Sequence, residues 1–394
     1  MESSRARDTR PFIVMDVLER AETLERQGRR IVHLEVGEPD FDVPPVVREA
    51  AERALRDGLT HYTHSLGIWR LREAIAGWYD RRYGVAVSPE RVVVTAGTSG
   101  AFLLLFGALL EPGEGVLLAD PGYPCYANFA RFVEARPVRV PVDAEDGFAF
   151  TPARVEAALT EDPRARVVLV SSPANPTGAV TPRATYEWLA TPRLTLVSDE
   201  IYHGLRYDGG EEFTALQVRD DAIVVDGVSK RFAMTGLRVG WTVVPKGLVR
   251  SLNKLSQNLF ICVPTVSQYA AVAALEQALP DMERMVATYR ERHGVLVRGL
   301  RELGFRVEVE PQGAFYVFAR MSHLHPDSYE FCLRMLEEAG VAATPGVDFG
   351  RHRTSEYVRF SYTRSVADIE AGLGRLKEWI PTIRTSPEAR PGER

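Results

Sequence analysis

The residues best suited to covalent chemistry lie between positions 225 and 240, Val-Asp-Gly-Val-Ser-Lys-Arg-Phe-Ala-Met-Thr-Gly-Leu-Arg-Val-Gly. An apolar run, Ala222 to Val228, reads as a strand that breaks at Ser229-Lys230, and a second strand runs from Val239 to Val244. A lysine at the end of a buried strand is costly to keep charged. Its amine is therefore readily lowered in pKa, which makes it a nucleophile for carbonyls. Only Lys230, Lys246, Lys254 and Lys377 are lysines among the 48 basic residues. Exchanging Lys for Arg matters little at solvated positions but removes imine chemistry, so surviving lysines are enriched for necessity. Arg238 follows eight residues later, beside Ser229, Thr235 and Gly236, a set suited to an anion such as phosphate. The plainer alternative is a solvated lysine in a turn.

These residues need a frame. Strand-like runs occupy Val92–Ala96, Gly115–Ala119, Pro137–Val142, Val167–Ser171, Leu194–Ser198, Ala222–Val228 and Val239–Val244. Helix-like segments at Ala101–Leu110, Tyr126–Phe132, Pro152–Leu159 and Pro182–Leu189 separate several of them. Continuous apolar strands alternating with helices indicate an α/β fold: a seven-stranded, mostly parallel sheet covered on both faces. Before this region come a helix over 13–27, a strand at Ile31–Val36, a turn at 37–40, and helices at Val46–Leu55 and Leu71–Tyr83. After it, residues 265–303 are mostly helical. The pattern then reads Arg306–Glu310, Ala314–Ala319, Ser328–Ala339, Val341–Ala343, Val358–Thr363 and Val366–Trp379, a small α+β unit. The expected organisation is an N-terminal segment 1–44, a large domain 45–285, a small domain 286–384 and a disordered tail 385–394.

In open α/β sheets, ligands bind beyond the carboxyl ends of the strands. Gly97-Thr98-Ser99-Gly100 follows the first strand and feeds a helix N-terminus, whose free N–H groups suit a phosphate. Tyr123 follows the second strand and is either a packed loop aromatic or a cover for a flat ligand. Asn175, in Ser172-Pro-Ala-Asn-Pro-Thr-Gly178, offers an amide from a rigid turn. Asp199 and Tyr202 end the fifth strand. A buried carboxylate there requires a cation or several hydrogen bonds, or else it caps a following helix. Together these groups meet the demands of pyridoxal 5'-phosphate: an imine-forming lysine, an acid near the pyridine nitrogen, hydrogen bonds to the ring hydroxyl and an anion site.

Composition narrows the alternatives. The net charge is −5 and no basic cluster interleaves with aromatics, so nucleic acid is not an expected partner. The isolated Cys125, Cys262 and Cys332 have no metal-ligand spacing, and a reducing, cytoplasmic setting is the default. The longest apolar run, Ala101 to Leu110, is too short for a bilayer, and the polar N-terminus lacks a signal-peptide core.

Several motifs occur in a definite order: Gly37-Glu-Pro-Asp-Phe41, Tyr62-Thr-His-Ser-Leu-Gly67, Thr95-Ala-Gly97, Pro121-Gly-Tyr-Pro124 and Asn175-Pro-Thr-Gly178. They continue through Ser198-Asp-Glu-Ile-Tyr202, Ser229-Lys-x-Phe-x-Met-Thr-Gly-x-Arg-x-Gly240, Pro311-x-Gly-Ala-Phe-Tyr316 and Val358-Arg-Phe-Ser361. Over nearly its whole length the chain thus resembles the fold-type I pyridoxal-phosphate aminotransferases of class I/II, the aspartate-aminotransferase-like superfamily. The resemblance implies the fold of those transferases, with a small domain built from both termini. It also implies ping-pong transfer of an amino group between an L-amino acid and a 2-oxo acid through a Lys230 Schiff base.

By the same resemblance, Asp199 pairs with the pyridinium nitrogen. Tyr202 and Asn175 bond the ring hydroxyl oxygen, and Tyr123 stacks on the ring. Gly97, Thr98, Ser99, Ser229 and Arg238 hold the phosphate. Tyr62 reaches the phosphate of a neighbouring subunit, which implies a homodimer with shared sites. Arg359 grips the substrate α-carboxylate, with Gly37 and Asn175 beside it. The Asp120–Pro121 and Asn175–Pro176 bonds are expected to be cis. Lyases, decarboxylases and oxidases share the scaffold, and so do ligand-sensing regulators, but the pattern starts by residue 13 and leaves no room for a preceding DNA-binding module. No second arginine signals a dicarboxylate. Phe12, Ile13 and His64 are expected to line the side-chain pocket, which favours a neutral or aromatic amino acid with 2-oxoglutarate or pyruvate as acceptor.

Overall fold

The computed structural model describes residues 2–9, 11–191 and 193–384, so the expected disorder of 385–394 lies outside the described residues. Among the described residues, twelve strands form in chain order. They are β1 (Val32–His33), β2 (Val92–Ala96), β3 (Gly115–Asp120), β4 (Arg136–Pro141), β5 (Ala165–Ser171) and β6 (Thr195–Asp199). Then come β7 (Ile223–Gly227), β8 (Val239–Val243), β9 (Tyr316–Arg320), β10 (Val341–Ala342), β11 (Thr344–Pro345) and β12 (Tyr357–Ser361). The seven strands read from the apolar runs make one sheet, in the order β2-β8-β7-β6-β5-β3-β4. Only β8 runs against its neighbours. Runs such as Val92-Val-Val and Val167-Val-Leu-Val are buried throughout, because β-branched side chains fill a sheet covered on both faces.

Two large apolar clusters flank this sheet, and one of them continues into Val47, Leu71, Ile75 and Trp78 of the early helices. A further cluster gathers on the antiparallel sheet β11-β12-β9 and on helix Val366–Arg384. The helix Leu279–Glu302 bridges the two regions: Met282 packs with the large sheet, Met285 with the small one.

The N-terminal residues return to the C-terminal ones, since β1 pairs in parallel with β10. The expected strand Ile31–Val36 shrinks to two residues because its later backbone groups find other partners. The Glu35 carbonyl accepts from Thr344 Oγ1 at 3.0 Å and from Arg359, and the Val36 carbonyl accepts from Thr363 Oγ1 at 3.1 Å. The expected strand Arg306–Glu310 reduces to a single bridge between Arg306 and Arg320. The helix from Ser328 stays α-helical to Arg334 and widens into a π turn at Met335–Ala339, closed by Gly340. The helix expected from Ala101 begins at Gly97, so the Gly-Thr-Ser turn is its first turn. Asp120–Pro121 and Asn175–Pro176 are cis, as expected, and so is Ser172–Pro173.

Candidate active site

The carboxyl ends of the parallel strands converge on one cavity of about 190 Å³. Thr98 after β2, Tyr123 after β3, Asn175 after β5, Asp199 at the end of β6, Tyr202 beyond it and Lys230 after β7 all line it. Gly37 and Arg359 complete the wall from the N-terminal loop and β12.

Lys230 is half-buried, and its Nζ donates to the Gly37 carbonyl at 3.0 Å. Burial pushes its amine down to about 8, Arg238 and Arg359 add to this, and Glu38 and Asp199 oppose it. Asp199 is 4% exposed. Burial raises its carboxyl to about 6, against hydrogen bonds from the Tyr126 hydroxyl (2.5 Å to Oδ2) and the Ile201 N–H (3.1 Å to Oδ1). No helix follows for Asp199 to cap; β6 ends in a turn.

Arg359 sits between the rings of Tyr316 and Phe349, 4.4 and 4.8 Å from their centroids. It donates to Asn175 Oδ1 at 2.9 Å, to Thr344 Oγ1 at 3.0 Å and to the Glu35 carbonyl, all neutral acceptors. Its buried Nε has no hydrogen-bond partner among the described residues. The hydroxyls of Tyr202 and Tyr316 lie 2.8 Å apart. Gly37 is a close approach: a Cβ there would fall 1.9 Å from the Tyr316 hydroxyl.

Beside the cavity, the N-terminus of helix Gly97–Leu109 offers the Thr98 and Ser99 N–H groups, which lack intrahelical acceptors. Gly97 has φ +68°, and a Cβ on it would lie 2.5 Å from Arg238 Nη2, so the guanidinium lies over the glycine backbone. Arg238 itself adopts φ 54°, a left-handed conformation uncommon for a side-chain-bearing residue and typical of constrained sites. Ser229 is buried nearby, at the turn preceding Lys230. Helix dipole, free N–H groups and guanidinium form a cradle suited to a phosphate, and the cavity above it carries the amine, acid and amide that a pyridoxal ring requires. The residues present therefore fit that cofactor.

Tyr62 is not brought to this cavity and is 81% exposed. Of the expected side-chain pocket, Phe12 lines the cavity, and its ring meets Tyr123 edge-on at 6.0 Å. Ile13 faces a neighbouring cavity instead, and exposed His64 turns its Nδ1 to the Leu66 N–H at 3.1 Å. Val14 and Met15 take their places, because the Asp348 carboxylate accepts from the Ile13 and Val14 N–H groups and anchors the start of helix Ile13–Arg26.

Sequence reasoning missed Tyr126, the donor to Asp199, and the arginine's aromatic walls, Tyr316 and Phe349. Tyr126 falls three residues after Tyr123 at the start of a helix, but nothing in the spacing says that its hydroxyl turns toward β6.

The chain matches the family described as "Aminotransferase class I and II" over residues 29–376. It is similar to a valine–pyruvate aminotransferase of Mycobacterium tuberculosis, at 41% identity over 94% of this chain and 97% of that one. It is also similar to an aspartate/prephenate aminotransferase of Thermus thermophilus, at 39% identity over 95% and 97%. A solved aspartate aminotransferase of Thermus thermophilus with maleate superposes with a TM-score of 0.91 at 38% identity, covering 96% of this chain and 99% of that one.

Proposed function

The chain belongs to the class I and II aminotransferases, and from that premise we propose that Lys230, Asp199 and Arg359 are the working groups of its active site. As a pyridoxal-phosphate-dependent aminotransferase it acts on amino acids and 2-oxo acids. The observation that carries the residue assignment is the shared cavity, which joins a depressed amine, a buried carboxylate and an arginine whose hydrogen-bond partners are all neutral.

The bound cofactor supplies an electron sink for negative charge at the amino acid Cα. Thr98 and Ser99, through their N–H groups, with Gly97 leaving room and Ser229 and Arg238 closing in, hold its phosphate. Asp199 keeps a proton on the ring nitrogen, while Tyr126 keeps Asp199 ionised. Asn175 and Tyr202 bond the ring hydroxyl oxygen, and Tyr123 covers the ring. Arg359 binds the α-carboxylate through two N–H groups, with Gly37 and Asn175 beside it, and so turns the Cα–H toward Lys230. Lys230 would hold the cofactor through its amine, and it would take and return the proton at the substrate Cα, which an amine lowered to about 8 does more readily than one at its ordinary value. Lys230→Ala should fold normally, lose the visible absorption of the lysine-bound cofactor and lose turnover. Normal transamination by that variant would sink the assignment.

The amino acid is neutral or aromatic. Phe12, Val14, Met15 and Ile201 present apolar surface, and Arg359 is the only arginine among the lining residues. The valine–pyruvate pair named for one relative suits that cavity better than aspartate. A half-reaction panel of amino acids, read by loss of visible absorption, tests this; aspartate as the fastest donor would refute it.

The enzyme is a cytoplasmic homodimer in which Tyr62 reaches the partner's phosphate. This is supported by an exposed patch of Tyr62, Leu259 and Ile261, joined where Thr265 Oγ1 donates to the His61 carbonyl at 2.6 Å. Sedimentation should give twice the chain mass; a monomer with full activity would refute shared sites. Among the described residues no helix is long and apolar enough to cross a membrane. Two units, 45–285 and 1–44 with 286–384, are supported by the change of apolar cluster between Met282 and Met285. Hydrogen exchange that splits elsewhere would refute that division.

A further inference from the structure

We infer that Arg231 is a positioning residue for transamination, one that fixes the turn bearing Lys230 against the strand end bearing Asp199. The inference rests on the roles proposed above for those two residues.

Arg231 and Asp226 are both 0% exposed and form an ion pair. The same Arg231 Nη2 that bonds Asp226 Oδ1 also donates to the Glu200 carbonyl at 3.2 Å. Glu200 follows Asp199 and Arg231 follows Lys230, so one hydrogen bond links the residue beside the acid to the residue beside the amine. The Glu200 backbone is held from its other side as well, because its N–H donates to the Val225 carbonyl of β7 at 2.8 Å. Its side chain points away, with Oε1 accepting from Thr214 Oγ1 at 3.1 Å and the Ala215 N–H at 2.8 Å. The indole of Trp78 lies 5.3 Å from the guanidinium and closes the site.

Stability alone does not account for this arrangement. A buried ion pair recovers its desolvation cost only in part, and an apolar filling of the same volume is often as stable. Arg231 Nε and Nη1 and Asp226 Oδ2 are buried without hydrogen-bond partners among the described residues, so the pair is incompletely satisfied. What an apolar residue lacks is the donor to the Glu200 carbonyl. Asp226 orients that donor: it is the next-to-last residue of β7, four residues before Lys230, so the pair closes the turn on itself as well as on β6.

The test uses the cofactor-loaded enzyme as wild type, Arg231→Lys, Arg231→Met and the double variant Asp226→Asn/Arg231→Met. The double variant matters because burial pushes the Asp226 carboxyl up to about 7 even beside Arg231, and the single Met variant leaves that carboxyl alone. Three quantities are read: the melting temperature, the pH midpoint of the cofactor's visible absorption, and kcat and KM.

The double variant should melt close to wild type. Its absorption midpoint should move by at least about half a pH unit, and kcat should fall on the order of tenfold with KM changed less than about twofold. Arg231→Lys should recover part of both shifts. A double variant with the wild-type midpoint and kcat, whatever its melting temperature, overturns the inference. If the double variant does not fold, Arg231→Lys decides: an unshifted midpoint overturns the inference and a shifted one supports it. Lys230→Ala separates the two readings, because an active Lys230→Ala enzyme removes the premise, whereas an inactive one with an unaffected double variant removes only the role of Arg231.

Discussion

Arg231 and Arg359 are 0% and 2% exposed, but their charges are answered differently. Arg231 carries its own carboxylate, Asp226. Arg359 is hydrogen-bonded among the described residues only to an amide oxygen, a hydroxyl and a carbonyl, between two aromatic faces, and it feels the Asp348 carboxylate only through space. An arginine with a resident counterion has little left for a ligand. An arginine hydrogen-bonded to neutral dipoles and held between ring faces is kept in place with no carboxylate in direct contact, so it suits one that arrives with the substrate. Arg231 follows β7 of the large sheet and Arg359 lies on β12 of the small one, and Lys230 and Asp199 share the cavity of Arg359.

Substitutions can break this contrast. The largest effect is expected on stability at Arg231. Arg231→Met leaves Asp226 buried without its cation, and such single truncations cost about 3–5 kcal/mol, measurable by chemical denaturation. A loss below about 1 kcal/mol would mean that the pair does not behave as a coupled buried charge. Arg359→Met should do the reverse. Stability stays within about 1 kcal/mol of wild type or rises, because no carboxylate loses a directly bonded partner and Asp348 keeps its bonds from the Ile13 and Val14 N–H groups, while kcat/KM falls by about a hundredfold, the worth of two charge-assisted hydrogen bonds at about 3 kcal/mol in all. An Arg359→Met enzyme that keeps its kcat/KM would erase the distinction.

The smallest effect sharpens the cavity that Arg359 shares with Asp199. Asp199 stands at about 6, raised by burial and lowered by the Tyr126 hydroxyl. Tyr126→Phe removes that donor, so Asp199 takes up a proton at higher pH than in wild type. Cofactor binding needs Asp199 ionised and is therefore lost as pH falls. The acid limb of the cofactor dissociation constant should move up by about one pH unit, the equivalent of one hydrogen bond to a charged group. A downward shift would mean that Tyr126 does not stabilise the charged form.

Much of the frame was legible in the chain. Most of the seven sheet strands, from Val92–Ala96 to the run at Val239, announced themselves as apolar runs, because a strand buried on both faces needs apolar side chains at nearly every position, whereas the edge strand β4 carries Arg136 and Arg139. The strand expected at Ile31–Val36 failed for a complementary reason. Its apolar residues do pack, but Glu35 and Val36 give their carbonyls to side chains rather than to a ladder, and hydrophobicity does not register that choice. His64 was misplaced in the pocket, whereas Val14 and Met15 were overlooked, because their positions depend on Asp348 anchoring a helix more than three hundred residues away in sequence.

By itself the sequence determined the kind of chemistry: a lone lysine motif, an acid after a strand, a glycine turn before a helix and an arginine on a late strand, in an order that one cofactor explains. Those are properties of residue type and local spacing. The tertiary structure alone decided which charges are already paired. Asp226 meets Arg231 within one turn, but the Glu200 carbonyl, the Tyr126 hydroxyl and the rings around Arg359 come from other elements of the chain. Electrostatic roles depend on distance and burial in space, and sequence separation fixes neither.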